Sequence, residues 1–75
     1  MIYLDVRTKS EYDEGHYDGA IHHDLALIMQ GVLPNIDKDA EIHVYCRSGN
    51  RSEVAKEILI KYGFTHVKNI GGFQK

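Results

Sequence analysis

The sequence predicts an α/β fold, a mostly parallel central sheet of four to five short strands flanked by helices. Three observations carry that expectation. Short apolar segments rich in β-formers alternate with helix-patterned segments along the chain. The clearest strand, Ile42-His43-Val44-Tyr45, runs through a polar loop into the clearest helix. At 75 residues the chain fits one domain, taken as 1–75, whose parallel strands are joined by crossover helices.

Ile2-Tyr3-Leu4-Asp5-Val6 reads as a buried first strand. Thr8-Lys9-Ser10-Glu11 has the form of a capping box: Thr8 caps a short helix, Glu11 reaches back, and Gly15 ends it. Ala20-Ile21-His22 is a minor strand. Asp24 caps a second helix over about Leu25 to Gln30, which stops at Gly31. Val32 to Glu41, with Pro34, is a connection. After Ile42–Tyr45 and the polar loop, a helix capped by Ser52 runs to Tyr62. Its apolar face is Val54, Ala55, Ile58, Leu59 and Tyr62. Glu53, Lys56, Glu57 and Lys61 lie opposite, spaced to form ion pairs. Gly63 follows the helix, and Thr65–Ile70 is a last strand ending at Gly71-Gly72.

Composition excludes several classes. The chain is 43% hydrophobic and 27% charged, a globular balance, with a formal net charge of -2 and no long run of one sign. A nucleic-acid binder shows a basic face, and none is present in the pattern. No apolar run approaches the roughly 20 residues that cross a bilayer. Met1-Ile2-Tyr3-Leu4-Asp5 lacks the basic region and long apolar stretch of a signal peptide. The single cysteine rules out an intramolecular disulfide and a cysteine cluster for zinc.

By residue type alone, a lone cysteine at the end of an apolar strand is a small buried hydrophobe. The neighbours of Cys46 reverse that reading. It lies just past a strand, where α/β sheets place their ligand crevice. Arg47, Ser48, Gly49, Asn50 and Arg51 follow it, are not core residues, and lead into a helix. Such a strand–loop–helix turn aims loop N–H groups and a helix N-terminus at one spot, which suits an anion. Gly49 relaxes the backbone of the tight loop. Arg47 and Arg51 add positive charge, which favours the thiolate and steers an anionic substrate. Cys46 is therefore expected to ionise near neutral pH.

A cradled thiolate can attack phosphorus or a sulfane sulfur. In protein tyrosine phosphatases five residues separate the cysteine from the arginine. Here four residues, Arg47 to Asn50, separate Cys46 from Arg51, and Tyr45 replaces the histidine common before the phosphatase cysteine. The shorter loop makes a tighter cradle, matched to one terminal sulfur atom.

Several motifs, in order, resemble the rhodanese family. They are Leu4-Asp5-Val6-Arg7 with Glu11-Tyr12, then Gly15-His16 and Gly19-Ala20-Ile21, then Val44 to Ser52, and finally Gly63-Phe64, Val67 and Gly71-Gly72. The resemblance is to the compact single-domain, phage-shock type, and it implies the three-layer rhodanese-like fold. It further implies a thiosulfate sulfurtransferase in which Cys46 takes the outer sulfur of a small anionic donor such as thiosulfate. The Cys46 persulfide then passes that sulfur to cyanide or a thiol, including a protein-borne one. Loop N–H groups from Arg47 to Ser52 bind the substrate sulfur, and no metal or organic cofactor is required. The expected state is a monomer with neither nucleic-acid nor membrane partner. The lack of a signal points to the cytoplasm and the compact type to the periplasm. The alternatives are a non-catalytic sulfur carrier or regulatory module using the same loop, and, further off, a small cysteine phosphatase or arsenate reductase.

The chain departs from the family in three places. His22-His23-Asp24 replaces an Asn-Ile-Pro-like turn, the family's first strand and helix before Asp5 are missing, and the tail is cut to Phe73-Gln74-Lys75. Shortened walls predict an exposed Cys46, open to bulky acceptors. Asp5 and Arg7 fall near the active-site edge, where they either support the Cys46 loop or form a structural ion pair, for example Arg7 with Glu11. His16 reads as structural, and His22-His23 as neighbours pointing opposite ways rather than a metal pair.

Overall fold

The computed structural model describes residues 1–73; Gln74 and Lys75, the end of the shortened tail, lie outside the described residues. In chain order the elements are β1 (Ile2–Asp5), α1 (Lys9–Glu14), β2 (Ile21–His22), α2 (Leu25–Met29), β3 (Glu41–Cys46), α3 (Asn50–Lys61) and β4 (His66–Gly72). The strands form one sheet in the order β2-β1-β3-β4, and every neighbouring pair is parallel. The α/β expectation holds, at the lower of the two strand numbers.

The sheet's alternation divides its side chains between two faces. Leu4, Ile42, Val44 and Cys46 join Ile28, Ala55, Leu59 and Phe64 in the buried core beneath α2 and α3. On the other face Tyr3 stacks on Tyr17 at 4.7 Å, and Tyr17 meets Tyr45 and Phe73 edge-on at 4.8 and 4.9 Å. Offset and edge-on contacts of this kind add specificity to apolar burial.

The local signals account for most boundaries. The Thr8 hydroxyl accepts from the Glu11 N–H while the Glu11 carboxylate accepts from the Thr8 N–H, so the capping box forms as expected. Asp24 caps α2 through the Ala26 N–H at 3.0 Å. The start of α3 differs: the helix begins at Asn50, and its N-cap is Gly49, at φ 99° without a capping side chain. Ser52 therefore lies inside the first turn, fully buried, and does not cap. The predicted apolar face of α3 is too wide. Ala55 and Leu59 are buried, whereas Val54 and Tyr62 are more than two-fifths exposed. Glu53 turns to Asn69 of β4, 2.9 Å away, rather than pairing along the helix.

β4 continues through both glycines and carries a bulge. Two steps along β3, Val44 to Cys46, face three along β4, Asn69 to Gly72. An extra residue of this kind re-aims the chain beside it. Gly72 is there because nothing larger fits: a Cβ at that position would overlap the Arg47 carbonyl.

Candidate active site

β3 delivers Cys46 to the carboxyl end of the sheet, and the chain turns at once into α3. The turn folds back on the sulfur. Gly49 donates its N–H to Cys46 Sγ at 3.0 Å, and the Ser52 hydroxyl lies 3.4 Å from it. Burial pushes the Cys46 thiol up, but hydrogen bonds from the Ser52 side chain and from the Ser52, Gly49 and Ser48 N–H groups outweigh it. The net result is a thiol lowered to about 7. Of the causes the sequence offered, the loop N–H groups act on the sulfur directly, joined by the Ser52 hydroxyl, whereas the arginines make no hydrogen bond to it.

The predicted site residues divide into three groups. Cys46, Ser48, Gly49 and Ser52 converge on the sulfur. Arg47 and Asn50 are exposed, Arg47 at the mouth of a cleft of about 550 Å³. Arg51 turns away to Glu11, which it grips with two hydrogen bonds of 2.7 and 2.9 Å. That guanidinium, followed by opposing burial and the Thr8 contacts, holds the Glu11 carboxyl at about 2. The partner predicted for Glu11, Arg7, is bound elsewhere. Arg7 Nη2 donates to Asp5 Oδ2 and to the Gly15 carbonyl, both at 2.7 Å. Burial raises the Asp5 carboxyl, yet the Arg7 hydrogen bonds leave it below the usual carboxylate range.

Arg7, held by the buried Asp5, forms one wall of the cleft. Its other lining residues are Glu11, Glu14, Gly15, Arg47, Ser48 and Phe73. The Phe73 ring covers the Arg7 guanidinium at 5.2 Å, and the Phe73 N–H donates to the Cys46 carbonyl at 2.8 Å. Cys46 itself is fully buried, which corrects the expectation of an exposed sulfur and removes the argument from exposure for bulky acceptors. The core cluster to which Cys46 belongs, with Gly49 and Ser52 folded onto its sulfur, supplies the enclosure that a shortened chain was expected to lack.

Four residues of this region were not foreseen as parts of the site: Glu11, Asn69, Gly72 and Phe73. Asn69 had a readable signal. It stands two residues after Val67, on the inward alternation of the last strand, where a polar side chain needs partners. The other three depend on contacts between distant segments. Among the described residues no set of three His, Cys, Asp or Glu side chains is placed to hold a metal. His16, His22 and His23 each hydrogen-bond a backbone carbonyl at 2.7 Å. No helix among the described residues is long and apolar enough to cross a membrane.

Comparison with known proteins agrees with this geometry. The family model described as a rhodanese-like domain matches residues 1–75. The thiosulfate sulfurtransferase PspE of Escherichia coli is 38% identical over 96% of this chain and 70% of its own length. The adenylyltransferase and sulfurtransferase UBA4 of Candida glabrata is 35% identical over 99% of this chain, which spans only 20% of that protein. A solved structure of an E. coli rhodanese with anions superposes with a TM-score of 0.80 at 39% identity, over 95% of this chain and 85% of that one. With the motifs of the Cys46 turn, the all-parallel sheet and the whole-length match in agreement, the chain belongs to the rhodanese-like domain family, which includes sulfurtransferases.

Proposed function

We propose that this chain transfers a sulfane sulfur through a Cys46 persulfide, with thiosulfate or a similar small anion as donor. The observation that carries the reading is the convergence of loop N–H groups and the Ser52 hydroxyl on one sulfur atom. Such donors stabilise a thiolate before attack and a persulfide after it.

The Cys46 thiolate attacks the outer sulfur of thiosulfate. A bond forms between Cys46 Sγ and that sulfur, the donor's S–S bond breaks, and sulfite leaves with the electron pair. An acceptor, cyanide or a thiol, then attacks the outer sulfur of the persulfide. The Cys46 thiolate departs, and cyanide becomes thiocyanate. Two displacements replace one difficult step. Arg47, exposed along the cleft, meets the anionic end of the donor, while Arg51 holds α1 through Glu11.

Mass spectrometry after thiosulfate treatment tests this. The expected result is a gain of one sulfur, about 32 Da, that cyanide removes and Cys46→Ala abolishes. A persulfide that forms but leaves only to a protein partner would favour a carrier. Absence of the persulfide would overturn the reading, and phosphate-ester turnover in its place would favour a phosphatase.

A further inference from the structure

Ser52 has one hydroxyl proton and two neighbours that can take it. Its Oγ lies 2.7 Å from Asn69 Oδ1 and 3.4 Å from Cys46 Sγ. The Asn69 amide cannot be turned over, because its other contacts fix it. Nδ2 donates to the Gly49 carbonyl at 3.1 Å and to Glu53 Oε1 at 2.9 Å, and both of those accept only. Oδ1 accepts from the Gly71 N–H at 3.0 Å, which only donates. Oδ1 therefore faces Ser52 as an acceptor, and the Ser52 proton points at Asn69. With that proton engaged, Ser52 can only accept from the sulfur, so this arrangement belongs to the Cys46 thiol: Sγ–H to Oγ, Oγ–H to Oδ1.

On ionisation the demand reverses. The sulfur needs donors, and the Ser52 hydroxyl must rotate toward it, giving up Oδ1. We infer that Asn69 is a positioning residue that acts through Ser52: by holding the Ser52 proton it favours the thiol, and competition for that one proton sets where Cys46 ionises. The bulge in β4 makes the contest possible, since it brings the Gly71 N–H onto Oδ1 and leaves that oxygen partnered when Ser52 turns away.

The charged groups around Cys46 are either engaged elsewhere or exposed. Arg51 of α3 is held by Glu11 of α1, and Arg7 after β1 by Asp5. Glu53 of α3 grips Asn69 itself, Arg47 stands exposed at the cleft mouth, and Lys68 of β4 is exposed. None of them hydrogen-bonds Sγ or the Ser52 hydroxyl. Arg51, raised chiefly by its Glu11 hydrogen bonds and to a lesser degree by the Cys46 charge, is common to all the variants below.

The inference deepens the sulfur-transfer reading and rests on it for its importance, but its test needs no turnover. The thiolate ultraviolet absorbance is titrated in the full chain, with Cys46→Ala subtracted to remove the tyrosines. Asn69→Leu and Asn69→Ala are expected to lower the Cys46 pKa by about 0.5–1, a three- to tenfold higher thiolate-to-thiol ratio at a given pH below the transition. Ser52→Ala is expected to raise it, and the double variant Ser52→Ala/Asn69→Leu to match Ser52→Ala alone. An Asn69 that only braces the loop gives the opposite sign, since a looser loop returns the thiol to its ordinary range. That result, or an Asn69→Leu effect that persists without Ser52, overturns the inference. So does failure of both Asn69 variants to fold by circular dichroism. If the titrations behave as expected and wild type forms no persulfide, the sulfur-transfer reading falls and the role of Asn69 stands.

Discussion

Cys46 joins two properties that seldom coincide: complete burial and a thiol lowered to about 7. Burial alone disfavours the charged form. The sign reverses because the surrounding groups are donors on a fixed backbone, so ionisation asks for little beyond rotation of the Ser52 hydroxyl. A rate that depends on the thiolate should therefore rise with pH up to about 7 and flatten above it, and stopped-flow measurement of sulfite release checks this. Gly72 shows the same closeness as a steric limit. With the Arg47 carbonyl occupying the space of a side chain, Gly72→Ala is expected to cost about 1–3 kcal/mol by displacing the loop. Urea unfolding measures the loss, and the variant's persulfide yield should fall with it.

Among the elements, α1 has only six residues and needs help to persist. Glu11 supplies it twice, accepting from the Thr8 N–H at the helix start and from Arg51 of α3. Its carboxyl is held at about 2, against 4.5 for the unperturbed group. The folded value is the lower one, so the stabilisation is fully present above about pH 4.5 and is lost as pH falls from there toward 2. Because the Arg51 side chain is 36% exposed, solvent screens the pair, and Glu11→Gln should cost about 1 kcal/mol at neutral pH and nothing near pH 2. Thermal melts across that range test both the size and the sign. The capping box was legible in the residues from Thr8 to Glu11, as were the strands at Ile2 and Ile42 and the Cys46 turn. The Arg51–Glu11 clamp was not. It joins residues 40 positions apart, and Arg51 read from its sequence neighbours alone belongs to the anion site. Ser52 was misplaced for a related reason: Gly49, by taking the left-handed backbone, starts α3 earlier than a serine cap would.

Over the whole molecule the margin is small. At about 0.05–0.15 kcal/mol per residue, a chain of 75 residues holds about 4–11 kcal/mol. Leu59 lies fully buried among core residues that α2, α3 and the sheet share, and Leu59→Ala is expected to remove about 2–5 kcal/mol, enough to leave a large unfolded fraction by calorimetry. The α/β class could be read from the alternation of strands and helices, but the enclosure of Cys46 could not. It depends on the core that β3 shares with α3 and on the Cys46 turn folding back onto its own sulfur, and the register of β3 with β4 brings the last strand up to that turn. That register has a consequence for biosynthesis. Chains fold from the N-terminus as they are made, and β4, with Asn69 and Gly72, follows every other strand of the sheet in sequence. The Cys46 loop is therefore made before the strand whose Asn69 holds Ser52 and whose Gly72 packs on Arg47, and the site takes its final form only when β4 pairs with β3.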